Sequence, residues 1–286
     1  MPHEIDRILR ALSSRAWFVE PRKGDEIVAL LALRAQGHTL GMEQQPRPAP
    51  RRDGAVAVLP LIGSIMPRAD AVSESSGAVS LARWGQRFRE LADDPRVSAI
   101  VLEVDSPGGA VDLVPETAAM IRAARREDRP IIAVASTTAA SAAYWIASAA
   151  DELVVTPSGE VGSIGVYMMH RDLSAALEAE GVAVTLISEG PRKIEGHPFA
   201  PLDDVARAAL QRQVGEMYAR FTADVAKARG VPRARVTADP ERAERHFGGG
   251  RTVGAEEAVR LGMADRVATL DETIERLRTP RGRRRR

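Results

Sequence analysis

The stretch Ser98-Ala-Ile-Val-Leu-Glu-Val104, followed at once by Asp105-Ser-Pro-Gly-Gly109, decides the fold class. Five of its first seven residues are apolar, as in a buried strand, and the run is too short for a helix. A strand that is apolar on both faces belongs to a parallel sheet covered on both sides. Working outward, the pattern repeats. Ala55–Gly63 (AVAVLPLIG), 131–136 (IIAVAS), 152–156 (ELVVT), 164–168 (IGVYM) and 182–187 (VAVTLI) read as further strands. Residues 78–92, 112–125, 141–150, 173–180 and 203–229 read as helices between them. Strands that alternate with helices make an α/β protein with a mainly parallel sheet.

The N-terminal part has a different texture. Residues 4–16 and 24–36 space their apolar positions by three and four, as amphipathic helices do. Gln44–Arg52 (QQPRPAPRR) is proline-rich and charged, without side chains to pack. The expected organisation is a helical appendage over 1–45, a Pro/Arg linker over 46–54, a main domain over 55–270, and a helical end with a basic disordered tail over 271–286.

Composition narrows the chemistry. The chain has 286 residues, a net charge of +1 and no cysteine. A near-neutral chain is not built to grip nucleic acid over its whole surface, although the Arg-rich tail can touch it weakly. Disulfides, thiolate metal sites and a cysteine nucleophile are excluded. No segment reaches the ~18 apolar residues of a membrane span, and the first residues lack the apolar core of a signal peptide. A cytoplasmic protein is expected. Of 40 Lys+Arg only Lys23, Lys193 and Lys227 are lysine, so 40 − 3 = 37 are arginine. Arginine cannot be deprotonated in a protein, whereas lysine can act as a base.

Three loops follow strands, where α/β proteins place their sites. Asp105–Gly109 ends in two glycines that let backbone N–H groups turn toward a ligand, and it reads equally as an ordinary strand-to-helix turn. Ser141 lies among Ala139, Ala140, Ala142 and Ala143, small neighbours that leave its hydroxyl accessible at a helix start. That position favours a developing oxyanion, and it also suits a simple N-cap. Gly190–Phe199 (GPRKIEGHPF) carries Lys193, either a base or a solvated loop lysine. A fourth stretch, Val161-Gly-Ser-Ile-Gly165, offers Ser163. His3, His38 and His246 have no companions at metal-ligand spacing.

In order and spacing, SPGG, a serine amid alanines, GSIGV, and G-x-x-K followed by PF resemble peptidase family S49, the signal peptide peptidase A group. The resemblance covers roughly residues 55–270, and RTVGAEEAVRLGMADRV (251–267) resembles the family's closing segment. It implies a ClpP/crotonase-like fold with a C-terminal helical arm and a Ser–Lys dyad. Ser141 is then the nucleophile and Lys193, 193 − 141 = 52 residues on, the general base. Ser163 holds the lysine amine. Gly109 and Ala142 supply oxyanion-hole N–H groups, with Gly108 shaping their turn. A base must be neutral to accept the serine proton, and burial favours neutral lysine. No cofactor and no metal are implied. The expected partners are a peptide or protein substrate and further copies of the chain, with sites shared between subunits.

The N-terminal appendage and GVYMMHRDLS (165–174) look more like the phage and prophage relatives that process scaffold or portal proteins. Head maturation, at the prohead, is one expected role, and soluble degradation of signal peptides or other peptides is the other. His170, 29 residues after Ser141, is the rival base, and His197 lines or caps the Lys193 loop. Two other classes remain. One is a crotonase-like acyl-CoA enzyme, for which Glu116 and Glu160 are the nearest acids; the other is a non-catalytic assembly protein of the same fold.

Overall fold

The computed structural model describes residues 17–19, 49–68 and 77–278. The helices expected over 4–16 and 24–36, and the tail over 280–286, lie outside the described residues. In its described parts the chain divides into two compact units. One contains Val166–Arg220; the other contains Phe18–Gly165 and Phe221–Arg286.

The main unit is a three-layered α/β assembly around an eight-stranded sheet. Its strands are β2 (Arg51–Asp53), β3 (Val56–Ile62), β6 (Ala99–Ser106), β8 (Ile131–Ala140), β9 (Glu152–Val155), β10 (Glu160–Gly162), β11 (Thr252–Gly254) and β12 (Arg266–Val267). The path runs β11-β10-β8-β6-β3-β2, with β9 between β8 and β12. Pairs β3·β6, β6·β8, β8·β9, β8·β10 and β9·β12 are parallel. Only β2·β3 and β10·β11 are antiparallel. A small second sheet has the order β1 (Trp17–Val19), β7 (Gly108–Ala110), β4 (Ile65–Met66), β5 (Val79–Ser80).

The apolar runs explain the burial. Val56, Val58, Ala99, Val101, Ile132, Val134 and Val154 form one face, on which Ile274 of the last described helix (Leu270–Arg278) packs. The intervening residues Ala57, Leu59, Ile100 and Leu102 are buried on the other face. Burying each Val, Leu or Ile contributes about 1.5–3 kcal/mol, so runs apolar on both faces favour the doubly covered sheet. Helix α1 (Leu81–Asp93) buries Trp84 and Phe88 as a stacked pair at 5.6 Å. The Trp84 Nε1–H donates to Pro60 O at 3.0 Å, which satisfies the one polar atom the indole buries.

Strand β8 forks the sheet. Ile132–Ala135 pair with β9, whereas Thr138–Ala140 pair with β10 on the same edge. Against β6, the register passes from Val104↔Ala135 to Ser106↔Ala139, four steps of β8 for two of β6. The extra residues bulge, and the bulge steers the end of β8 out of the first ladder into the second.

Several boundaries differ from the sequence expectations. Arg51–Asp53, inside the stretch expected as a linker, form edge strand β2, because their backbone pairs with β3 while Arg51 meets Glu103 at 2.9 Å and Arg52 meets Asp94. No strand forms over 164–168. The chain leaves the sheet after Gly162, where Ser163 takes a left-handed φ of 53°. The stretch 182–187 is not a strand either: among the described residues nothing pairs with it, and Ile187 is 96% exposed. Apolar alternation alone cannot make a strand without a neighbouring backbone.

The second unit holds α4 (Ser174–Ala179) and the first part of α5 (Asp204–Arg229). Large hydrophobic side chains are exposed in it at Tyr167, Met169, Val182, Ile187, Ile194 and Val205. Among the described residues, no helix is long and apolar enough to cross a membrane.

An ion pair closes the back of the main unit. Arg229 at the end of α5 grips Asp265 in two bonds of 2.8 and 2.7 Å, and Asp265 also accepts from the Leu153 N–H at 2.7 Å. Burial works against the Asp265 charge, but the guanidinium and the amide outweigh it, so its carboxyl titrates below the ordinary range. The unfolded carboxyl titrates near about 3.9. The stabilisation is therefore present above that pH and is lost as pH falls through the lower folded value. Asp265→Asn should cost about 1–2 kcal/mol at neutral pH, read by chemical denaturation. As pH falls below about 3.9 the difference from wild type should shrink.

Candidate active site

Ser141 stands where β8 becomes helix α3 (Ala142–Ser148). The expected helix over 141–150 starts one residue late, because β8 extends to Ala140 through its pairing with β10. The turn between them is Ser141 itself, at φ 56°, ψ −118°. A non-glycine residue held there costs of order 1–3 kcal/mol and persists only when its surroundings over-determine it.

The surroundings do so from both sides. The Ser141 N–H donates to Gly162 O at 2.7 Å, continuing the β8·β10 register beyond Gly162↔Ala140. The Ser141 carbonyl accepts from the Trp145 N–H at 3.0 Å, the first bond of α3. Neighbouring alanines make the tight turn feasible: Ala139, Ala140, Ala142 and Ala143 are all fully buried. The hydroxyl is not accessible as the small neighbours led us to expect: they close over it, Ser141 is only 1% exposed, and its Oγ is buried with no hydrogen-bond partner among the described residues. It does not cap α3. The simple N-cap role is therefore not the one the hydroxyl plays, since a cap would bond an amide of the first turn.

Ser163 sits beside it in the chain fold. Gly162 accepts from Ser141, and the next amide, Ser163 N–H, donates to Arg251 O at 2.9 Å. Ser163 is 5% exposed and, like Ser141, has a positive φ. A Cβ on Gly162 would lie 2.6 Å from Arg251 O, so only glycine lets the chain from β11 approach this closely. Glu160, one of the acids weighed above, accepts from Thr252 Oγ1 at 2.8 Å and Thr138 Oγ1 at 3.5 Å. It braces β10 against its neighbours on both sides.

The glycine strand approaches from the other side. β7 packs on α3 and pairs with β4 at Ile65↔Gly109. A Cβ at Gly109 would collide with the Ile65 backbone, which explains glycine there. Gly108 (φ 99°) donates its N–H to Ser106 Oγ at 3.2 Å, so its amide serves the turn. Ala142, the first residue of α3, has an amide outside the helix ladder. The main unit thus gathers Ser141, Ser163, Gly108, Gly109 and Ala142.

Lys193 and the two histidines belong to the other unit. Lys193 lies in a turn, its N–H donating to Gly190 O at 3.1 Å, and the residue is exposed there, without the burial expected to favour a neutral lysine. Arg192, its neighbour, pairs with Glu195 at 2.9 Å. His170 Nε2 is 3.1 Å from His197 O. A carbonyl only accepts, so that nitrogen carries the proton and donates it. In this state His170 Nε2 cannot act as a base. His197 Nδ1 accepts from the Phe199 N–H, which stabilises the loop after Lys193.

The sequence did not single out two residues that hold the site. Tyr144 is fully buried and donates its hydroxyl to Met263 O at 2.9 Å; burial pushes its phenol well up. Trp145 is fully buried against Phe221. Paired aromatics directly after the small-residue run were the available signal, since such residues fix an otherwise featureless helix. Among the described residues, no group of three or more His, Asp or Glu side chains is placed to hold a metal ion.

Comparison with known proteins places this arrangement. The model of peptidase family S49 matches residues 123–283. The chain is 33% identical over 257 residues to capsid assembly protease C of Escherichia phage lambda, covering 89% of this chain and 56% of that one. It is 30% identical over 230 residues to Protease 4 of Salmonella typhi, covering 77% of this chain and 34% of that one. The chain therefore spans about half or less of the length of these relatives. Among solved structures it is similar to a ClpP1 mutant from Listeria monocytogenes, with TM-score 0.43, 14% identity, 75% of this chain and 92% of that one. The family model matches more than half of the chain, with the serine turn and the closing segment inside the match, and the chain belongs to peptidase family S49.

Proposed function

We propose that the protein is a serine endopeptidase in which Ser141 is the nucleophile and Lys193 the general base. The observation that carries this is the Ser141 hydroxyl: buried, without a hydrogen-bond partner among the described residues, on a strained turn between a strand end and a helix start. A structural serine would spend that hydroxyl on a cap or a carbonyl. Leaving it bare in a buried turn suits a group that must bond to a reacting carbon and hand off its proton.

The reaction then runs as acyl transfer. Neutral Lys193 Nζ takes the proton from Ser141 Oγ as Oγ attacks the peptide carbonyl carbon. The carbonyl oxygen becomes an oxyanion, met by the N–H groups of Gly109 and Ala142. Gly108 contributes by fixing the turn. The lysine returns the proton to the departing amine, the C–N bond breaks, and an acyl-serine remains. Water, losing its proton to the same lysine, hydrolyses the ester and restores Ser141. Ser163 orients the lysine amine.

Lysine suits this role where arginine cannot. The sequence uses arginine 37 times in 40 basic residues, yet keeps lysine at 193. The substrate is a protein or peptide chain. Likeness to a phage capsid assembly protease supports a role in processing head proteins at the prohead. Likeness to Protease 4 supports general peptide degradation as the second role. The exposed apolar side chains at Val182, Ile187 and Val205 are of the kind that self-associating surfaces carry, which supports a homo-oligomer.

Ser141→Ala and Lys193→Ala should each lower peptide hydrolysis by about 10³-fold or more, with circular dichroism and melting retained. Lys193→Arg should be equally inactive, because it keeps the charge and loses the basicity. Near-normal turnover by either lysine variant would overturn the dyad and make His170 the base to test.

Mixing Ser141→Ala with Lys193→Ala protein tests whether sites are shared. Recovered activity in the mixture is expected if one subunit's lysine serves another's serine. Silence at all ratios would place both residues in one chain's site.

A further inference from the structure

We propose that Asp224, acting through the Trp145 indole, is a positioning residue for the Ser141 turn. The turn requires a positive φ at a non-glycine residue, so the chain must be pinned on both sides of it. Upstream, the pin is the sheet: Ala140 in register with Gly162 and the Ser141 N–H on Gly162 O. Downstream, it is the Trp145 N–H on the Ser141 carbonyl. A helix of seven residues is too short to hold its own direction. Whatever fixes Trp145 therefore fixes the downstream side.

Trp145 is fixed in two ways. Its ring lies flat on Phe221, centroids 4.6 Å apart and planes within 7°. Its Nε1–H donates to Asp224 Oδ2 at 3.1 Å. Phe221 and Asp224 are one turn apart on α5, so ring and carboxylate meet the indole from a single helix face. Asp224 is held in turn by Arg122 Nη2, 3.5 Å away on helix α2 (Val114–Ala123). The carboxylate thus links α2, α5 and α3, and its pull reaches the serine through the residue whose amide the serine carbonyl accepts. Trp145 has no contact with the hydroxyl in this chain of bonds; its effect is on where the hydroxyl stands.

The kinetic arm of the test rests on the serine peptidase reading; the thermodynamic arm does not. Asp224→Leu removes both acceptor oxygens at similar volume, Trp145→Phe keeps the stack without the N–H, and Asp224→Asn keeps one acceptor. Reaction of Ser141 with a fluorophosphonate and turnover of a peptide are measured on each. Asp224→Leu and Trp145→Phe should slow labelling and lower kcat by about tenfold, with KM within about twofold. Asp224→Asn should remain within about threefold of wild type, the size of one neutral hydrogen bond exchanged for a charged one.

Ser141→Gly supplies the second arm, by denaturant unfolding. Glycine relieves the turn, so it should stabilise the wild-type background. If Asp224 holds the strained geometry, the same substitution should gain less in Asp224→Leu or Trp145→Phe, a departure from additivity of about threefold or more in the unfolding constant. Additive effects, or wild-type labelling in both Asp224→Leu and Trp145→Phe, would overturn the positioning role. A wild-type protein that takes no label but shows the non-additivity would leave the positioning role standing and refute the serine nucleophile.

Discussion

The hydrogen bond from the Ser141 amide to Gly162 O is the constraint on which the site depends. It extends the β8·β10 ladder by one rung past the last paired residues and fixes the phase at which the chain turns into α3. It exists only because β8 forks. The bulge against β6 frees the last residues of β8 to pair with β10, after its first half has paired with β9. Gly162 itself is crowded by Arg251 O, so the strand that receives Ser141 is placed by β11, some ninety residues downstream. The closing segment of the chain is thereby part of the serine turn's support.

Packing and backbone strain are coupled through this rung. The strain at Ser141 is held by packing on every side: full burial of the flanking alanines, the Tyr144 hydroxyl on Met263 O, and the Trp145 indole on Phe221 and Asp224. A close-packed interior transmits such restraint because it cannot relax locally. The result is a hydroxyl presented without a partner, which an unstrained helix cap would have consumed.

Much of this was legible in the sequence. The apolar runs at 55–63, 98–104, 131–136 and 152–156 marked four sheet strands, because a buried parallel strand has few sequence alternatives. SPGG, the alanine-ringed serine and GSIG marked residues that the main unit gathers. The failures have physical causes. The runs at 164–168 and 182–187 have strand composition, but pairing is a property of the neighbour, and a left-handed φ at Ser163 or the lack of a partner backbone ended them. The bulge that lengthens β8 to Ala140 is a register event between strands distant in sequence, invisible to any local pattern. Trp145 and Asp224 escaped notice because their bond joins residues 79 apart. The arginine bias, by contrast, was a compositional oddity with chemical content: it left lysine at a position where the proposed chemistry needs a proton acceptor.

The most direct measurement is to treat the protein with a fluorophosphonate and map the adduct by peptide mass spectrometry. Treatment of the folded protein should give a single adduct, on Ser141, and protein denatured before treatment should give none. An adduct on Ser163 or another hydroxyl, or a folded protein that takes no adduct, would contradict the Ser141 nucleophile.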